Sequence, residues 1–112
     1  RSPIEMKLSE NSNIEQVCVV GTGIPQPIAL VVLSENAKKL VNYKVSIEET
    51  SIDVNLTLDK HEVVHNLIVV DDVWTVENKF LTPSMKIKRK NIEKKYQANY
   101  STWYDQNTIV VL

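Results

Sequence analysis

Apolar positions along the chain group into short blocks with two different periods. Ser2, Pro3 and Glu5 open the first block as a helix: Ser2 can cap the free amides, Pro3 suits the first helical position and Glu5 completes a capping box. Ile4 and Leu8 then share a face. Ile14–Val20, rich in β-branched residues, predicts a strand, and the continuous apolar run Ile28–Leu33 predicts another. Gly21, Thr22, Gly23, Pro25 and Pro27 mark the turn between them, so the pair is expected to form an antiparallel hairpin.

Ser34 can cap a short helix carrying Ala37, Leu40 and Val41. A second capping box, Ser46 to Glu49, predicts a further helix with Ile47, Ser51, Val54 and Leu58 on one face. Residues 67–70 predict a third strand, and 73–80 a small ribbon around Glu77, Asn78 and Lys79. From about Lys88, Ile92, Tyr96, Tyr100 and Trp103 recur at helical spacing, and 109–112 can add an edge strand. The order α, β, β, α, α, β, ribbon, α predicts an α+β fold: a small, mostly antiparallel sheet of about three main strands plus the ribbon, flanked by helices.

With 112 residues, the chain fits one domain, residues 1–112. A composition of 43% hydrophobic and 24% charged residues excludes collagen-like and disordered classes. No apolar run has the length of a membrane span, and no secretory leader pattern opens the chain. The start at Arg1 and the apolar end at Leu112 read as the ends of a domain cut from a longer protein. One cysteine, Cys18, excludes an internal disulfide and suits a reducing compartment. Set among valines, it is expected to be a buried, unactivated thiol.

The net charge of −1 conceals a segregation. Between Lys79 and Lys95 lie seven cations against Glu93, a balance of +6, while the remainder has 6 basic and 13 acidic residues, or −7. A basic strip of this kind attracts phosphates, so a stand-alone phosphate- or nucleic-acid-binding module is one reading; a solvated helix face is the plainer one. Nucleic-acid binding calls for aromatics interleaved with the cations, whereas Tyr96, Tyr100 and Trp103 have the spacing of a buried face. Gly21, Thr22 and Gly23 offer turn amides to a ligand but lack the third glycine of a dinucleotide-binding loop.

His61, Glu62 and His65 match H-E-x-x-H, which on a helix presents two imidazoles to zinc and a carboxylate to its water. Here a strand follows too soon for the helix to continue, and no third histidine exists. Zinc hydrolysis is therefore the minor alternative and no metal site is expected.

The run Leu81-Thr82-Pro83-Ser84-Met85-Lys86-Ile87-Lys88-Arg89, leading into the helix at Ile92 and Tyr96, resembles the C-terminal signature of long-chain acyl-CoA synthetases, a branch of the adenylate-forming enzymes. Trp74, Thr75, Glu77 and Asn78 resemble the family's preceding W-T-x-E-N-G, and Ser2-Pro3-Ile4-Glu5 the end of its hinge motif. The resemblance implies the mobile C-terminal lid of a fatty acid:CoA ligase, with an N-terminal adenylate-forming domain as its partner. It implies ATP, CoA and Mg2+ in the intact enzyme, none held tightly by this chain alone, which should be inactive. It matches Lys86 to the family's adenylation lysine and leaves Lys88 and Arg89 as candidates for phosphate or CoA contact. It implies a cytoplasmic enzyme that can associate peripherally with membranes, and no nucleic-acid partner. Two departures stand out: Met85 occupies the place of a glycine in the more widespread lysine motif, and Lys79 replaces a usual glycine of the turn.

Overall fold

The computed structural model describes residues 2–112. Four strands form one sheet in the order β1 (Ile14–Val20), β2 (Ile28–Leu33), β3 (Leu67–Val69) and β4 (Ile109–Val111). Helix α1 (Pro3–Ser9) precedes it; α2 (Glu35–Lys38) and α3 (Tyr43–Asn55) lie between β2 and β3; α4 (Arg89–Tyr96) and α5 (Tyr100–Tyr104) lie between β3 and β4. All six residues of β2 are buried, because the sheet is covered on both faces. Ile28, Leu30 and Val32 face Ile92, Tyr96, Tyr100 and Trp103. Ala29, Val31 and Leu33 face Leu8, Ala37, Ile47 and Val54. The two-residue period of the strand thus feeds two cores, one per face.

The α+β class and the β1/β2 hairpin are as expected, but the sheet is mixed rather than mostly antiparallel. Only β1/β2 is antiparallel; β2/β3 and β3/β4 are parallel. The reason lies in the connections. Segments 34–66 and 70–108 each carry helices that cross a face of the sheet and return the chain to the same end, as parallel pairing requires.

Three local expectations also change. Helix α2 ends at Lys38, leaving Leu40 46% and Val41 fully exposed. Helix α3 starts at Tyr43, so Ser46 lies inside it, where its Oγ accepts from the side-chain amides of Asn11 (3.0 Å) and Asn13 (2.9 Å). The ribbon at 73–80 is instead a turn. Thr75 and Asn78 each accept the other's backbone N–H on the side chain, at 3.0 and 2.9 Å, and Asn78 Nδ2 donates to the Val73 carbonyl. Such side-chain bonds compete with a strand ladder. Among the described residues the one isolated bridge joins Leu81 to Ile87, just beyond the segment predicted to form the ribbon.

Candidate functional site

Residues 81–87 form a short hairpin arm that carries Lys86 just past its turn. Leu81 is buried and Ile87 packs on the same core, so the base of the arm is fixed by apolar contact. Above that rung the Thr82 N–H donates to the Lys86 carbonyl (2.8 Å), and below it the Lys88 N–H donates to the Phe80 carbonyl (2.8 Å). Pro83 and Ser84 make the turn, closed by the Met85 N–H donating to the Thr82 carbonyl (2.8 Å). Pro suits the first central position of such a turn, since its φ is already set. Met85 then takes φ 69°, a left-handed residue that reverses the chain as in a short hairpin loop. Thr82 Oγ1 accepts the Lys86 N–H (3.1 Å) and lies 3.0 Å from Ser84 Oγ. Both backbone polar groups of Lys86 are thus held by one residue, Thr82, while its side chain is exposed. Among the described residues its ammonium has no carboxylate within salt-bridge distance, and neither has that of Lys88.

Lys79 and Met85 are the only non-glycine residues with positive φ among those described, both at 69°. They are also the two positions at which the resemblance drawn from the sequence would place a glycine. A φ of 69° is one that glycine adopts freely and that a side chain makes costly.

Arg89 stands differently from Lys86 and Lys88. One guanidinium nitrogen donates to both carboxylate oxygens of Glu5 (3.0 and 2.9 Å); the other donates to the Val19 carbonyl (2.6 Å) and to Cys18 Sγ (3.2 Å). Glu5 is 1% exposed and also accepts the N–H of Val19 (2.7 Å) and of Ser2 (3.3 Å). The pattern had given Glu5 only its capping role, which the structure retains. Burial opposes the charge on Arg89, but the bonds and charge of Glu5, together with the smaller influences of Cys18 and Glu93, raise the guanidinium pKa above its ordinary value. Burial also pushes the Cys18 thiol up to about 12, with Arg89 only partly offsetting it.

Helix α4 is pinned at several further points. Thr22 Oγ1 donates to Glu93 (3.0 Å), so a carboxylate occupies the hydroxyl of the Gly21-Thr22-Gly23 turn. Gly23 needs its residue type there, with φ +82°. Asn91 Nδ2 donates to the Lys79 carbonyl (2.6 Å). Lys95 pairs with Asp72 (3.0 Å), Tyr96 OH donates to the same oxygen (2.7 Å), and the Trp74 indole N–H donates to Tyr96 OH (3.3 Å). The Tyr96 and Lys95 bonds hold the Asp72 carboxyl below the ordinary carboxylate range. Tyr96, Tyr100 and Trp103 are buried in the core, so the basic strip carries none of them on its surface for base stacking.

The H-E-x-x-H match is not a helix. Lys60–Glu62 is a single 3-10 turn, and Val63 follows it in extended geometry, with ψ 129°. The Asn55 side chain then takes both backbone groups of Val64 (2.9 and 3.0 Å). His65 stacks on Tyr104, ring centroids 3.8 Å apart, with Nε2 2.9 Å from the Tyr104 carbonyl oxygen. Among the described residues the one trio of possible metal donors is Asp59, His61 and Glu62, all exposed, and His65 is not among them. The zinc-hydrolase alternative loses the one-faced pair of imidazoles on which it rested.

The model of the AMP-binding enzyme C-terminal domain matches residues 2–108, and the chain belongs to that family. No curated protein matches it. Among solved structures, the fold is similar to the A domain of carboxylic acid reductase from Segniliparus rugosus in complex with AMP and a co-purified carboxylic acid. That similarity has a TM-score of 0.76 at 22% identity, over 92% of this chain and 17% of that one. An acyl-CoA synthetase from Brucella canis gives 0.60 at 22% identity, over 87% and 17%. A benzoate CoA ligase from Burkholderia xenovorans LB400 gives 0.54 at 25% identity, over 80% and 17%. The chain therefore spans about a sixth of the length of these proteins.

Proposed function

We propose that the chain is the mobile lid of an ATP-dependent long-chain fatty acid:CoA ligase, and that Lys86 serves the adenylation half-reaction. The observation carrying this reading is the contrast within one segment: Arg89 and Lys95 are consumed by carboxylates of the same domain, whereas Lys86 stands just past the turn of a braced arm, exposed and, among the described residues, with no carboxylate within salt-bridge distance. An ammonium on a flexible stem suits the chemistry. As a carboxylate oxygen attacks the α-phosphorus of ATP and pyrophosphate leaves, negative charge on the phosphate oxygens is stabilised by a cation aimed at them. The product, an acyl-adenylate, then passes its acyl group to the CoA thiol and releases AMP.

An adenylate-forming domain of the same chain would supply the nucleotide pocket, Mg2+ handling and the acyl site; this domain would supply the lysine. Long-chain substrates are favoured by the Leu81 to Arg89 signature, including the apolar Met85 before the lysine. Lys88, exposed at the start of α4, is the second cation available to a phosphate of ATP or CoA. No helix is long and apolar enough to cross a membrane, and peripheral association of a cytoplasmic enzyme fits the same reading.

The test is carboxylate-dependent exchange of labelled pyrophosphate into ATP by this chain joined to the adenylation domain encoded ahead of it. Long-chain fatty acids are expected to support faster exchange than short-chain or aromatic acids. Faster exchange with aromatic or short-chain acids would overturn the substrate class, and no adenylate-forming domain in frame upstream would overturn the ligase reading itself.

A further inference from the structure

Lys86 precedes α4 by only three residues, and the first residue of that helix is bound to the opposite end of the chain. The two guanidinium nitrogens of Arg89 anchor on different elements: one on the Glu5 carboxylate in α1, the other on the carbonyl of Val19 near the end of β1. Because the guanidinium is planar, two such anchors fix the orientation of the group as well as its position. Glu5 is fixed in turn by the N–H groups of Ser2 and Val19 and by burial. Ser2 to Glu5 is the segment through which a preceding domain would join this one.

We propose that Glu5 and Arg89 are positioning residues for Lys86. The pair sets the angle at which the 81–87 arm leaves the domain relative to the entering segment, so that a swing of the lid delivers the ammonium as part of a rigid body. The inference rests on the reading of Lys86 as the adenylation lysine. It predicts a defect confined to the half-reaction that uses the arm, since a displacement of about 1 Å at a reacting group can cost on the order of a hundredfold in rate.

The experiment uses the chain joined to its adenylation domain and measures two rates: pyrophosphate exchange, and thioester formation from supplied acyl-adenylate and CoA. Variants are Lys86→Ala, Arg89→Lys, Arg89→Ala and the double variant Glu5→Gln with Arg89→Met, which removes the charges together and keeps their volume. Circular dichroism fixes a temperature at which each is folded. Arg89→Lys keeps the charge but cannot span Glu5 and Val19, and it is expected to slow exchange about tenfold. The double variant is expected to slow exchange about as much. Both are expected to leave thioester formation within about twofold of the parent. Equal loss of both rates, or undiminished exchange in Arg89→Lys and the double variant while Lys86→Ala is impaired, would overturn the positioning role alone. Undiminished exchange in Lys86→Ala would overturn the reading of Lys86 and this inference with it.

Discussion

Replacing Arg89 with alanine strands a carboxylate that is 1% exposed. Glu5 would keep the N–H donors of Val19 at 2.7 Å and Ser2 at 3.3 Å but lose both bonds from the guanidinium, and the Val19 carbonyl would lose its 2.6 Å donor. Removing one partner of a buried pair costs about 3–5 kcal/mol, mainly because the other charge is left uncompensated. Arg89 is itself 43% exposed and two amides remain on Glu5, so the lower end applies, about 3 kcal/mol. The opposite truncation should cost less. In Glu5→Gln the amide oxygen still accepts from Val19 and the released guanidinium turns to solvent, for a loss of about 1 kcal/mol. Urea unfolding of the domain, followed by the fluorescence of the buried Trp74 and Trp103, measures both. With a slope of about 2 kcal/mol per molar urea, the Arg89→Ala midpoint should fall by roughly 1.5 M and that of Glu5→Gln by about 0.5 M. Losses that are equal, or below about 0.5 kcal/mol at both positions, would refute the claim that burial of Glu5 gives the pair its weight.

Three further outcomes follow from the same geometry. Lys79→Gly and Met85→Gly each relieve a left-handed φ worth roughly 1–2 kcal/mol against about 0.4–1 kcal/mol of added unfolded-chain entropy, so each should raise stability by about 0.5–1 kcal/mol in thermal melts; a drop would contradict the strain assigned to 69°. Asp72 has a folded pKa below its ordinary value of 3.8, so the stability it contributes is present above that pH and lost as pH falls through the folded value. Asp72→Asn should therefore be less stable than the parent at pH 7, with the gap closing below pH 3.8; a gap independent of pH would contradict it. With its thiol pushed from 9.0 to about 12, Cys18 should react with an aromatic disulfide reagent at pH 8 about a thousandfold more slowly in the native chain than in urea, and comparable rates would show that it is not buried.

What could be read from sequence was local. The Ser2 to Glu5 capping box, the hairpin strands and the spacing of Ile92, Tyr96, Tyr100 and Trp103 depend on neighbours a few residues apart, and the fold honours them. Strand direction was not local. The apolar runs at 28–33 and 67–69 announce burial on both faces, which is common in parallel sheets, but the hairpin of β1 and β2 was extended to the whole sheet. Ser46 was misread because its hydroxyl serves Asn11 and Asn13, more than thirty residues away. The same distance hid the site's bracing. Glu5 and Arg89 are 84 positions apart, and nothing near either one identifies the other. Lys86 is a candidate only through the resemblance of its segment to the family signature, since a lysine in a basic loop carries no local mark of chemistry. The Thr82 hydroxyl that braces it had a weaker signal, a hydroxyl residue ahead of Pro83, which often opens a turn.

The central claim is that this domain carries the adenylation cation on the 81–87 arm, and Lys86→Ala in the intact enzyme tests it most directly. Pyrophosphate exchange driven by a long-chain fatty acid should collapse by at least about a hundredfold, the usual scale for losing one group that stabilises transition-state charge. Transfer from supplied acyl-adenylate to CoA should continue near the parental rate. Exchange that survives the substitution, or the two half-reactions falling together, would contradict the account.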